Sequence, residues 1–272
     1  KVLNNNGVIA IDMDENKEYV ILGKGVGFGK KVSQRFDKPE GCTTYRLEQE
    51  TERGSAKELV KGIEPEYLEI ADAILTESQK VFGDSIDRGI LFPLADHISF
   101  AVARIRRNEQ ISNPLTEDIK VLFYSEFKVA ETLKTILRER LQIEIDDHEV
   151  GYVALHIHSA IGDEKVSVAM QTARAVRECI DMIEKATGKP IDVLSLSYNR
   201  LMNHMKYMVA RASTGEKLNL DMNEYMLDQY PQAYKVATDI CKNLEGCIGH
   251  KLDETETGYL AMHIQRVYKD AV

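Results

Sequence analysis

The chain has 272 residues, 43% of them hydrophobic and 29% charged, with a formal net charge of −9. That is an ordinary globular composition with room for two or three small domains, and no apolar run approaches the ~18 residues of a membrane-spanning helix. Four scattered cysteines (Cys42, Cys179, Cys241, Cys247) form no C-x-x-C pair, which argues against a zinc ribbon or a disulfide scaffold; with no signal-peptide pattern at Lys1, a cytoplasmic location without membrane insertion is expected.

The first 36 residues read as β-structure. Val2-Leu3, Val8-Ile9-Ala10-Ile11 and Tyr19-Val20-Ile21-Leu22 are short β-type runs, separated by the turn signals Asn4-Asn5-Asn6-Gly7 and Asp14-Glu15-Asn16. An antiparallel sheet of about four strands fits. A sheet that small buries little apolar area, so a homodimer is expected. This stretch holds six Lys/Arg against four Asp/Glu, so the acidic excess lies in the remainder. Any polyanion site is therefore expected at the N-terminus.

The run Gly23-Lys24-Gly25-Val26-Gly27-Phe28-Gly29-Lys30-Lys31 closes this region. It is not a P-loop: Lys24 stands five residues before Gly29, and Lys31 is neither Ser nor Thr. It fails G-x-G-x-x-G as well. Alternating glycines let a backbone approach a ligand closely. Lys24, Lys30 and Lys31 can meet phosphates, Phe28 offers a face to an unpaired base, and the amides of Asn4, Asn5 and Asn6 can read base edges or sugars. The same residues fit a flexible Gly-rich hairpin with incidental lysines equally well. Residues 37–61 are polar and read as a linker.

Beyond it the pattern turns helical. Glu64-Pro65-Glu66 is a helix start, followed by Tyr67, Ile70, Ala71, Ile74 and Leu75 at helical spacing. Residues 94–107 lack Gly and Pro. Asn113-Pro114 breaks the chain, 116–140 reads as continuing helix, and Asp146-Asp147-His148-Glu149 caps a last helix through 160.

The plan then repeats. Residues 149–157 read Glu-Val-Gly-Tyr-Val-Ala-Leu-His-Ile and residues 256–264 read Glu-Thr-Gly-Tyr-Leu-Ala-Met-His-Ile. Residues 97–104, His-Ile-Ser-Phe-Ala-Val-Ala-Arg, match 204–211, His-Met-Lys-Tyr-Met-Val-Ala-Arg, at the same offset. Two matches at one offset mark a duplicated unit, with copies at 58–166 and 167–272 and breaks in the second at Thr187-Gly188-Lys189-Pro190 and Tyr230-Pro231. The fold class is multidomain β plus all-α: a small antiparallel sheet at 1–55 with its linker, then two homologous helical bundles of about five helices each.

The duplication singles out His97, His156, His204 and His263. His97 and Arg104 share one helix face, as do His204 and Arg211. Neutral imidazole is a nucleophile near pH 7, and a phosphate placed on it can be gripped by a guanidinium. Two His and an Arg per module suit reversible phosphorylation; the competing reading is hydrogen-bonded core histidines, which the shared offset weakens. Asp96 can hold the His97 tautomer, and Asn203 takes that place in the second copy. A metal shell of His97, Asp96, His156 and His158 is disfavoured, because the second copy has Asn203 and Gln265 at two of those positions. His148 and His250 fall off the repeat offset and read as surface or capping residues. No Ser-His-Asp or Cys-His arrangement stands out, so neither enzyme activity nor a cofactor is expected.

Taken together, these motifs resemble the transcriptional antiterminators of bacterial sugar operons, the family of the β-glucoside, sucrose and glucose antiterminators, over essentially the whole chain. Lys1-Val-Leu-Asn-Asn-Asn6 and residues 23–31 look like its co-antiterminator RNA-binding domain. The repeats look like its paired PTS-regulation domains. The resemblance implies a dimer that binds a hairpin in a leader mRNA and prevents termination, with RNA contacts at Lys1, Asn6, Gly23, Lys24, Gly25, Phe28 and Lys30. It also implies phosphorylation of His97, His156, His204 and His263, a sugar-specific PTS permease acting through the first module and the phosphocarrier HPr through the second. Two rival readings are a DNA-binding activator with the same modules, for which residues 1–60 show no helix-turn-helix, and an all-helical metal-dependent hydrolase.

Overall fold

The computed structural model describes residues 1–13, 15–47, 50–51, 54–109, 111–162, 165–188, 190–192 and 195–270. Asp14 of the second predicted turn and Lys189 of the second module's break lie outside the described residues. The chain divides into two compact units. One comprises Lys1–Asn113 and Ser125–Val166, the other Pro114–Tyr124 and Ser167–Val272.

The first unit opens with strands β1 (Val2–Asn4), β2 (Gly7–Asp12), β3 (Lys17–Leu22) and β4 (Thr43–Arg46) in one antiparallel sheet of order β1-β2-β3-β4. Val8 pairs with Ile21, and Val20 with Tyr45. The fourth strand was expected within the first 36 residues. It comes instead from the stretch read as linker, because Thr43, Thr44 and Tyr45 suit a pleated, half-buried position beside β3. Val20, Ile21 and Leu22 are buried in succession, so both faces of β3 are covered. On one face Val8, Ile21 and Val26 form a small core with Val2, Ala10, Phe36 and Cys42 packed against it. On the other, the Tyr45 ring meets Phe92 edge-on at 6.4 Å, while Arg88 Nη2 donates to Tyr45 Oη at 2.7 Å and to Asp72 at 2.8 Å. The sheet's second face is thus closed by helices of the same unit, and its burial does not by itself demand a second copy.

After a two-stranded ladder, β5 (Glu50–Thr51) with β6 (Gly54–Ser55), the chain is helical. Helix α1 (Ala56–Gly62) lies in the stretch read as linker. Helix α2 (Pro65–Phe82) starts on the expected proline, and α3 runs Leu91–Arg106. The span 116–140, read as continuous, is three pieces: α4 (Thr116–Leu122), α5 (Tyr124–Ala130) and α6 (Thr132–Leu141). The first break falls at Phe123, the counterpart of Tyr230, where Pro231 marks it in the second copy. Helix α7 (Asp147–Gly162) ends the first copy, and α2 packs against both α3 and α7.

The second unit contains α8 (Val166–Thr187), α9 (Leu196–Thr214), α10 (Asn223–Gln229), α11 (Pro231–Ile248) and α12 (Thr255–Asp270). Helix α12 packs against α9, α10 and α11. Helix α4 is built into this unit too: it lies on α9, and Tyr198 Oη donates to the buried Asp118 carboxylate at 3.3 Å. Burial raises the Asp118 pKa, an effect that Arg177 partly offsets. Among the described residues no helix is long and apolar enough to cross a membrane.

Candidate functional sites: paired histidines and an N-terminal loop face

Each copy brings its two histidines together. His97 on α3 and His156 on α7 have ring centroids 5.3 Å apart; His204 on α9 and His263 on α12 have theirs 4.8 Å apart. Helical periodicity puts the pairs there, since α3 and α9 are amphipathic and their His-Arg stripes face the last helix of each copy. A tyrosine flanks the first ring of each pair: Tyr152 at 5.7 Å from His97, and Tyr259, parallel within 4°, at 6.1 Å from His204.

The carboxylate of each site is a glutamate from the last helix. Glu149 Oε2 faces His97 Nε2 at 3.5 Å, and Glu256 Oε2 faces His204 Nε2 at 3.5 Å, both at the outer edge of hydrogen bonding. Arg104 Nη2 donates to Glu149 Oε1 at 2.7 Å. Arg211 donates twice to Glu256, from Nε at 2.6 Å and Nη2 at 2.9 Å. Sequence reasoning placed these arginines but not their glutamates. Yet both glutamates open the matching strings of the repeat, one copy offset apart like the histidines. The Asp96-to-Asn203 difference does not carry over to this carboxylate, which both copies keep.

Electrostatics keep the second pair neutral. Burial pushes His204 down to about 3, with the neighbouring His263 and Arg211 adding to the shift. Burial lowers His263 to about 4, followed by Arg266 and Arg200. A neutral imidazole has a free lone pair, which is what a phosphoryl group needs. In the first module, burial pushes Glu149 up, but contacts with His97 and Arg104 outweigh it and hold its pKa below the usual value. Beside Arg211 and Glu256 a cavity of about 180 Å³ also meets Met208, Lys217, Lys251 and Asp253. Among the described residues no group of three His, Cys, Asp or Glu is arranged to hold a metal ion.

The N-terminal residues form a second site. The Asn4-to-Gly7 turn and the glycine run are knitted together: Gly23 N–H donates to Asn6 O, Gly27 N–H to Asn5 O, and Gly25 N–H to Asn6 Oδ1 at 3.0 Å. A Cβ on Gly27 would lie 2.0 Å from the Asn4 carbonyl oxygen, and Gly25 has φ +73°. Glycine is needed at 27 for the chain's approach to itself. Phe28 stands 74% exposed, Lys24 of the same run is exposed as well, and Lys30 Nζ lies 4.2 Å over the Phe36 ring. The Lys1 backbone nitrogen donates to Ile9 O at 2.7 Å.

A duplicated bundle with a buried His pair, a Glu-Arg clamp at each, and a small glycine-looped β-domain ahead of them define a regulatory protein with a nucleic-acid face. The comparisons agree. The PRD domain family matches residues 72–160 and 177–267, and the CAT RNA binding domain matches 1–54. The GlcA/glcB genes antiterminator of Staphylococcus carnosus is 30% identical over 97% of this chain and 93% of its own length. The transcription antiterminator LicT of Bacillus subtilis is 27% identical over 100% of this chain and 99% of its own. A crystal structure of GlcT CAT-PRDI superposes with a TM-score of 0.51 at 29% identity, covering 60% of this chain and 96% of that one. The chain belongs to the family of RNA-binding transcriptional antiterminators that join a CAT domain to paired PRD domains.

Proposed function

We propose that residues 1–55 bind a hairpin in a leader mRNA as a cytoplasmic homodimer, preventing termination of a sugar operon. In this reading the modules at 58–166 and 167–272 set the activity through phosphorylation of His97, His156, His204 and His263. The observation that carries it is the recurrence of one constellation, two imidazoles with a Glu-Arg pair, in both copies. In each transfer a neutral imidazole nitrogen attacks the phosphorus of a phosphohistidine donor. The donor's P–N bond breaks, its electron pair returns to the donor imidazole, and a new P–N bond forms. HPr and a sugar-specific permease of the phosphotransferase system are the donors. The incoming dianion then faces Glu149 or Glu256, and like charges repel. Arg104 or Arg211 can leave its glutamate for the phosphate, so phosphate and carboxylate compete for one guanidinium. That exchange would re-pack the helices carrying the pair and shift the population of RNA-competent dimers.

RNA contacts fall to Lys1, Asn6, Gly23, Lys24, Gly25, Phe28 and Lys30. Phe28→Ala is expected to weaken hairpin binding by about 1–3 kcal/mol, the worth of one stacked base, while stability stays within about 0.5 kcal/mol because the ring is exposed. The main test is mass spectrometry after incubation with the phosphotransferase proteins, paired with hairpin binding by His97→Ala, His156→Ala, His204→Ala and His263→Ala. Four variants that bind RNA alike with and without donors would end the switch assignment.

A further inference from the structure

The amides of Asn4 and Asn6 are already occupied. Asn4 Nδ2 donates to Glu69 Oε1 at 2.7 Å and Asn6 Nδ2 to Glu69 Oε2 at 3.1 Å, both within the first compact unit. The amide orientations are fixed by backbone donors. Asn4 Oδ1 accepts from Asn6 N–H at 2.8 Å and Asn6 Oδ1 from Gly25 N–H at 3.0 Å, so each NH2 group points away from the loop. One carboxylate thus spans the two outward donors of the loop face, with Arg140 Nη1 3.7 Å from the same carboxylate.

Glu69 sits on α2 between the buried Leu68 and Ile70 but is only partly buried itself. The module's architecture does not require it. Matching the buried positions Leu68, Ala71, Ile74 and Leu75 of α2 to Ala173, Val176, Cys179 and Ile180 of α8 puts exposed Arg174 at its place. What Glu69 does have is the right chemistry: two anionic oxygens accepting from two side-chain amides. The two non-bridging oxygens of an RNA phosphate, or acceptors on a base edge, present the same pattern to the same donors.

We propose that Glu69 is an internal stand-in for RNA, capping the Asn4 and Asn6 donors so that the hairpin must displace α2 to bind. The proposal rests on the RNA reading of this loop face. A capped state lowers apparent affinity by the fraction of molecules that are open. Because α2 also packs against α3 and α7, which carry His97 and His156, the cap lies one helix from the first histidine pair.

The test uses the full chain and fluorescently labelled RNA hairpins with internal loops, read by anisotropy. Glu69→Ala should bind about three- to tenfold tighter than the wild type, with Glu69→Gln in between because its amide keeps one acceptor. Glu66→Ala removes the same charge one turn earlier on the same helix, where neither amide bonds it, and should stay near the wild type. In spectra of the free protein, the Asn4 and Asn6 side-chain amide signals should move in Glu69→Ala and not in Glu66→Ala. If the wild type binds and Glu69→Ala binds no tighter, or Glu66→Ala gains as much, the cap is overturned and the RNA face stands. If none of the four proteins binds although the variants fold like the wild type by circular dichroism, the RNA face itself is wrong, and the cap falls with it.

Discussion

The two histidine sites use the same residues with a different grip. In the second module Arg211 holds Glu256 through a two-bond fork and its side chain is 14% exposed. In the first, Arg104 donates once to Glu149, leaves its Nε without a partner, and is 26% exposed. The second ring pair is closer, 4.8 against 5.3 Å, and its tyrosine lies parallel to His204 where Tyr152 is tilted against His97. A duplicated sequence therefore fixes which groups meet but not how tightly they are bound. The single-bonded clamp is the easier one to open, and it shares a compact unit with the RNA-binding sheet.

Removing the glutamates should break this comparison most sharply. Glu256→Ala strands a largely buried guanidinium and is expected to cost about 3–5 kcal/mol. Glu149→Ala should cost about 1.5–3 kcal/mol, since Arg104 loses one charged hydrogen bond and reaches water more readily. Urea denaturation of both variants checks the order, and equal losses would erase the distinction between tight and loose clamps.

Acid is the next lever. Unfolded imidazoles take up protons near pH 6.5, whereas His204 and His263 resist until about 3 and 4. The unfolded state then binds more protons, so the contribution of this pair is whole above pH 6.5 and drains away as pH falls towards 4. Hydrogen exchange over α9 and α12 should quicken between pH 7 and 4.5, after correction for intrinsic rates, and His204→Leu should remove part of that acceleration. An unchanged pH dependence in the variant would remove the buried neutral pair from the picture.

The smallest expected effect separates fork from single bond. Lysine cannot reproduce a two-bond fork, so Arg211→Lys should cost about 1–1.5 kcal/mol and Arg104→Lys about 0.5 kcal/mol. Thermal unfolding of the two variants would sharpen the ranking, and a reversed order would contradict it.

The histidines were legible because a shared offset is visible in one sequence. Glu149 and Glu256 sat in the same strings but read only as marks of the repeat, since Asp96 is adjacent to His97 in sequence whereas Glu149 meets it only once α7 folds onto α3. Strand β4 is hard to see in the sequence because Thr43–Arg46 is short and its partner β3 lies across a long connection. The break at Phe123 has no Pro or Gly to announce it. The glycine run suggests an opening for a ligand, but at Gly27 the close approach is to the chain's own Asn4.

Segment 114–124 belongs to the first repeat by sequence and to the second compact unit by packing. A gene cut at residue 166 would strip the downstream half of the helix resting on α9, baring Tyr198 and leaving Asp118 without its phenol donor in the other fragment. Clones intended to isolate either half should respect that borrowed helix, because swapping it between copies of the chain is the mistake such a cut invites.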